Sequence, residues 1–117
     1  MAGVVVYEPD LFFSSKIESL VKGLAVPASV VTDINELKRK LAENSHRLII
    51  LNLDALEGSL ASLEGVFADK PGLLIGYYSH TNRNLAEEAK KSEVGVLMPR
   101  GEFVKKLGSI LTEAFRV

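Results

Sequence analysis

The residues able to do chemistry in this chain gather just past the ends of its apolar runs. Glu8 and Asp10 follow Val4-Val5-Val6-Tyr7, and Asn52 and Asp54 close the run Leu48-Ile49-Ile50-Leu51. Tyr78 and Ser79 follow Leu73 to Tyr77, and Arg100 follows Val94 to Met98. The chain has no cysteine, so disulfides, thiol nucleophiles and thiolate metal sites are excluded, and its chemistry must lie with carboxylates, hydroxyls and amides. Paired acids at one strand end suit a hard cation such as Mg²⁺, and an arginine at a neighbouring end suits an anion. Each also has a plainer reading. Glu8 and Asp10 can be solvated charges that offset the dipole of the first helix, and Arg100 can be a helix-flanking charge. Tyr77 and Tyr78 either offer an aromatic handle to a partner or are absorbed by the fold, one under the fourth helix and one capping the strand. His46 and His80 have no second ligand at metal spacing.

The elements that position these residues follow from periodicity. Short β-branched runs alternate with segments of helical period, the pattern of βαβ units on a parallel sheet. Strands are predicted at Val4 to Tyr7, Ala28 to Val31, Leu48 to Leu51, Leu73 to Tyr77 and Val94 to Met98. The third is apolar on both faces, as a central strand covered by helices on two sides must be. The first helix places Phe13, Ile17, Leu20, Val21 and Leu24 on one stripe, with Pro9 in the turn before it. Asp33 and Glu36 have capping-box spacing ahead of Ile34, Leu37 and Leu41, in a helix that ends near Asn44. Further helices are predicted over Leu60 to Ala68 and Asn84 to Lys91, the first stopped by Lys70-Pro71-Gly72. Phe103, Leu107, Ile110, Leu111, Ala114 and Phe115 form the apolar face of the last one.

The fold expected is α/β, a (βα)₅ doubly wound sheet of five parallel strands in the flavodoxin-like order 2-1-3-4-5. It forms one domain over residues 1–117, without repeats or linkers. Ligands of such sheets bind beyond the carboxyl ends of the strands, near the switch point between the first and third, where the polar residues gather. Gly58, Gly65, Gly72 and Gly76 form neither a GxGxxG nor a P-loop pattern. Binding of FMN would need a hydroxyl-rich phosphate loop after the first strand, where Glu8-Pro9-Asp10 would repel it.

Composition narrows the classes further. The 117 residues are 47% hydrophobic and 25% charged, an ordinary globular balance. The 14 basic and 15 acidic residues leave a net charge of −1, so no basic field holds a polyanion and nucleic acid is not the expected partner. No apolar stretch approaches the ~20 residues of a membrane span, and no basic segment precedes Val4. No membrane association and a cytoplasmic location are therefore expected.

The order of elements, the run Leu48-Ile49-Ile50-Leu51-Asn52-Leu53 and the spacing between strand ends resemble a response-regulator receiver domain of the chemotaxis type, over essentially the whole chain. In that family an aspartate at the end of the third strand accepts a phosphoryl group, and Asn52 stands at that place. An amide oxygen is neutral and a feeble nucleophile, so the resemblance implies a pseudo-receiver without ordinary aspartyl phosphorylation. The family's acidic pair maps onto Glu8 and Pro9, with Asp10 displaced by one. Its hydroxyl residue maps onto Tyr78, next to Ser79, and its lysine onto Arg100 or, through Met98-Pro99, onto Met98. The implied role is non-catalytic: a signalling or regulatory module that docks a protein partner through the fourth helix, fifth strand and fifth helix. Val104, Lys105 and Arg116 are candidates for the exposed part of that face. No cofactor is expected beyond weak Mg²⁺ binding, and the chain is expected to be a monomer or a weak homodimer. Two other readings stay open, a displaced phosphoacceptor at Asp54 and a small-anion sensor built on Arg100.

Overall fold

The computed structural model describes residues 3–24, 26–43, 46–56, 73–79 and 96–115. Five strands, β1 (Gly3–Tyr7), β2 (Ala28–Val31), β3 (His46–Asn52), β4 (Leu73–Tyr78) and β5 (Val96–Pro99), form one sheet in the order β2-β1-β3-β4-β5. Every pairing is parallel. Three helices complete the described chain: α1 (Leu11–Lys22), α2 (Ile34–Leu41) and α3 (Arg100–Ala114). The expected doubly wound, flavodoxin-like α/β arrangement is therefore present. No helix among the described residues is long and apolar enough to cross a membrane. The helices expected over 60–68 and 84–91 lie outside the described residues, as do His80 and the side chain of His46.

Period-two alternation divides the sheet between two cores. Val4, Val6, Leu48, Ile50, Ile75, Tyr77 and Met98 face the side covered by α1 and α3. Val5, Tyr7, Ile49, Leu51, Leu53 and Leu74 face the side of α2. Both faces of β3 are thus buried, which is why its sequence is apolar without alternation. Gly76 belongs to this packing: a Cβ there would stand 2.7 Å from Leu53 Cδ1 and 2.9 Å from Leu53 Cγ, so only glycine lets Leu53 cross β4.

The helix signals resolve into specific bonds. Asp33 caps α2 by accepting from Glu36 N at 2.8 Å, as the capping-box spacing requires on its side-chain limb. The helix stops at Leu41 with Ala42 as its cap, short of Asn44. In α3, Phe103, Leu107 and Leu111 are buried, with Ile110, Ala114 and Phe115 packed partly against them. The α1 stripe needs correction. Phe13, Ile17 and Val21 are buried as expected, but Leu20 and Leu24 remain 43% and 42% exposed. They sit four residues apart on a row that rotates away from the sheet, since four residues overshoot one 3.6-residue turn.

Candidate functional site

Alternation and register bring three polar side chains to one point on the α1/α3 side of the sheet. Asn52 pairs with Tyr77 across β3 and β4. Glu8 follows Tyr7, whose partner is Leu51, so Glu8 lies level with Asn52 one strand over. The side chains meet accordingly. Glu8 Oε2 accepts from Asn52 Nδ2 at 2.7 Å, and Glu8 Oε1 accepts from the Tyr77 hydroxyl at 2.6 Å. The Asp10 backbone N–H adds a longer bond to Oε2 at 3.3 Å. Glu8 is fully buried, Tyr77 nearly so, and Asn52 is 9% exposed. Each carboxylate oxygen thus has a protein donor, which is the condition for burying such a group without orphaning it.

Asn52 is fixed from both ends. Its Oδ1 accepts from Asp54 N at 3.0 Å and Ala55 N at 3.4 Å, so the amide turns its donor end to Glu8 and its acceptor end to the backbone. Those bonds begin a short 3₁₀ turn, Asp54–Leu56. Asp54 Oδ2 then accepts from Ser79 N at 2.9 Å, tying the end of β3 to the end of β4. Tyr77 is held by its ring as well. It stacks on Phe103 with centroids 4.4 Å apart and meets the edge of Phe13 at 5.4 Å.

Two of the expected residues, Asp10 and Arg100, stand outside this cluster at helix ends. Asp10 caps α1, its Oδ1 accepting from Phe12 N at 2.9 Å and Phe13 N at 3.5 Å, in agreement with the helix-dipole reading for this acid. Glu8 contradicts that reading, because it is sealed inside the sheet end. Arg100 opens α3 and lays its guanidinium over the Phe13 ring at 4.2 Å, while Nη2 lies 3.9 Å from Asp10 Oδ2. The pair is half-exposed and so worth little by itself, but it clips α3 to α1 over the buried cluster. Met98, the other match for the family's lysine, is buried in the core.

Tyr78 does not join the cluster. Its half-buried ring packs on the α2 side, against the core of Val5, Leu51 and Leu53, because adjacent strand residues point to opposite faces. Tyr77 is the member that sequence reasoning missed. The signal was available: counting by two from the paired ends places Tyr77 with Asn52, whereas alignment to a family pattern selected Tyr78. Since Tyr77 is buried, it presents no handle to a partner.

Burial first, then its bond to Glu8, then the negative charge of Glu8 raise the Tyr77 phenol well above its ordinary 10.0, against a smaller lowering by Arg100. Tyr7 is also raised, by burial and by the charges of Asp33 and Glu8. A raised folded pKa contributes stability that is complete below the unfolded value of about 10 and is lost as pH climbs above it. In a spectrophotometric titration Tyr77 is expected to give phenolate signal only as the protein unfolds in alkali. Reversible ionisation of all three tyrosines in a folded protein near pH 10 would show that the Tyr77 phenol is not enclosed as described.

Chemically, the cluster is an internal hydrogen-bond network more than a receptor. Among the described residues no three acidic or histidine side chains converge as metal ligands do, and no buried side-chain oxygen or nitrogen lacks a partner. No protein-family model, curated protein or solved structure matches the chain.

Proposed function

We propose that the chain is a protein-interaction module on a receiver-like scaffold that does not take up a phosphoryl group, a signalling or regulatory pseudo-receiver. The observation that carries this reading is the saturation of Glu8. The acid best placed to hold a cation at the sheet end has both oxygens engaged by Asn52, Tyr77 and the Asp10 backbone, and it is closed to solvent. Mg²⁺ would have to displace these donors while keeping several of its own waters. Asn52 supplies an amide where a nucleophilic carboxylate is needed, and the bond of Asp54 to Ser79 engages the alternative acceptor in holding the two strand ends together.

The partner face proposed is the side of β5 and α3. Val96, Val104 and Lys105 are exposed there. A groove of about 390 Å³ is lined by Ile75, Val96, Met98 and Ile110, with Lys106 and Glu113 at its rim. Such an apolar floor with a charged rim suits a protein segment better than a polyanion.

Incubation with acetyl phosphate and Mg²⁺ tests the proposal. The intact mass is expected to show no phosphoryl adduct over hours. A stoichiometric adduct that disappears in Asp54→Asn would replace this reading with the displaced-acceptor one. A melting shift with inorganic phosphate that is lost in Arg100→Ala would favour the anion sensor.

A further inference from the structure

We propose that the outer edge of β2 carries a homodimer interface, at which two copies join their sheets by antiparallel pairing of β2 with β2 across a two-fold axis. β2 stands at one end of the strand order and pairs only with β1 among the described residues. Pro27 O accepts from Val4 N at 2.9 Å and Val31 O accepts from Glu8 N at 3.3 Å. Pro27, Ser29 and Val31 therefore turn their backbone groups towards β1, and Ala28 and Val30 turn theirs outward. An outward row of N–H and C=O groups is a template for another strand, and proteins ordinarily blunt it with charge, proline or a bulge. Ala28-Ser29-Val30-Val31 contains no charge and no proline, and its register with β1 runs without a shift. The opposite edge of the sheet is blunted. Leu53 N donates to Tyr77 O, which turns Gly76 and Tyr78 towards β5. The register then turns Val96 and Met98 inward and leaves Leu97 and Pro99 outward, and proline has no N–H to offer.

The occupant indicated is β2 of a second copy, because the strand complements itself. An antiparallel pair centred on Ser29 sets Ala28 against the second copy's Val30 and Val30 against the second copy's Ala28. In that register every outward N–H of the two residues meets an outward C=O of the other copy. The side chains of Ala28 and Val30 pack partly on the core of the α1/α3 side, so across the axis the smaller stands opposite the larger. Ser29 meets the second copy's Ser29 at the close position of the ladder, with Cα atoms about 4.5 Å apart. Two neutral hydroxyls can share a hydrogen bond there, whereas two like charges would repel. Pairing of β2 with β5 would instead be head-to-tail and open-ended, and β5 lacks the donors for it. The two-fold closes the assembly at a dimer. Ala28, Ser29 and Val30 are each partly buried in the single chain, so the strand edge covers only part of the about 800 Å² per partner of a standard interface. The dimer is accordingly weak and reversible.

Sedimentation of the full chain across a concentration series is expected to show the mean mass rising from 12.7 kDa towards twice that value. Amide exchange at Ala28 and Val30 is expected to slow over the same range. Ser29→Lys and Ser29→Asp each set like charges face to face at the axis, and each is expected to weaken association at least about 10-fold. An equimolar mixture of the two variants is expected to associate again, since opposite charges then meet. Ala28→Pro removes an outward N–H that β1 does not use, and is expected to abolish association with little change in melting temperature. A chain that stays monomeric up to millimolar concentration overturns the proposal and leaves the edge to a strand of a different protein. Association that survives all three variants overturns it as well. So does a dimer of the wild-type chain in which exchange at Ala28 and Val30 is no slower than in the monomer, a result that stands even if a variant fails to fold.

Discussion

Glu8→Ala is expected to lower the unfolding free energy by about 3–5 kcal/mol, a large share of the stability of a single small domain. The side chain is fully buried, so its removal leaves a hole that the surrounding strands cannot close freely. It also leaves the Asn52 Nδ2 and the Tyr77 hydroxyl without their acceptor in a site closed to water. Each such orphan costs about 1–3 kcal/mol. Glu8→Gln separates the two effects. Its oxygen can still accept from Asn52 and from the Asp10 N–H, and its amide can donate to the Tyr77 oxygen, so the shape is kept and the loss is expected to be nearer 1 kcal/mol. Urea denaturation with an unchanged m-value measures both variants. If Glu8→Ala costs under about 1 kcal/mol, the network does not hold the sheet end together.

The features legible in the sequence were those set by local periodicity. The apolar run at 48–51, the capping-box pair Asp33 and Glu36 and the buried faces of α2 and α3 are each written within a dozen residues. The parallel order of the five strands follows from alternation of strand and helix together with crossover handedness. The polar cluster is different in kind. Glu8, Asn52 and Tyr77 are separated by 44 and 25 positions, and only the register of three strands makes them neighbours. A glutamate beside a proline at a strand end reads as solvated, because charged residues are seldom fully buried. It becomes a core residue here through an amide and a phenol brought from two other strands. Leu20 and Leu24 fit a helical stripe at one register, but the buried arc of α1 is narrower than the apolar arc of its sequence, and no local rule says which edge is left outside.

Asn52→Asp is expected to reverse the sign of one contact and, with it, the response of the protein to pH and Mg²⁺. A polar strand end ordinarily tolerates an acid, but here the wild-type amide donates at 2.7 Å to a buried carboxylate. An aspartate can keep the two backbone bonds from Asp54 N and Ala55 N, since an oxygen already faces them. Its second oxygen must then face Glu8 Oε2, acceptor against acceptor. Two charges about 4 Å apart at an effective dielectric near 20 repel by about 4 kcal/mol, and a pair this close relieves the repulsion by sharing a proton. One carboxyl of the pair then has a folded pKa above its unfolded value of about 4. Its contribution is complete below that value and is lost as pH rises through the folded pKa. The variant should therefore fall behind wild type by about 3–4 kcal/mol at neutral pH and regain much of the difference in mild acid. A divalent cation offers the other relief, as two carboxylates can share Mg²⁺. Millimolar Mg²⁺ is expected to raise the melting temperature of Asn52→Asp and to leave wild type unchanged. With acetyl phosphate the variant is expected to label slowly or not at all, because the buried Tyr77 phenol still occupies the neighbouring position on Glu8. Urea midpoints between mild acid and neutral pH, with and without Mg²⁺, decide the matter. A variant as stable as wild type at neutral pH and blind to Mg²⁺ would mean that Asn52 is not the donor on which the buried Glu8 depends.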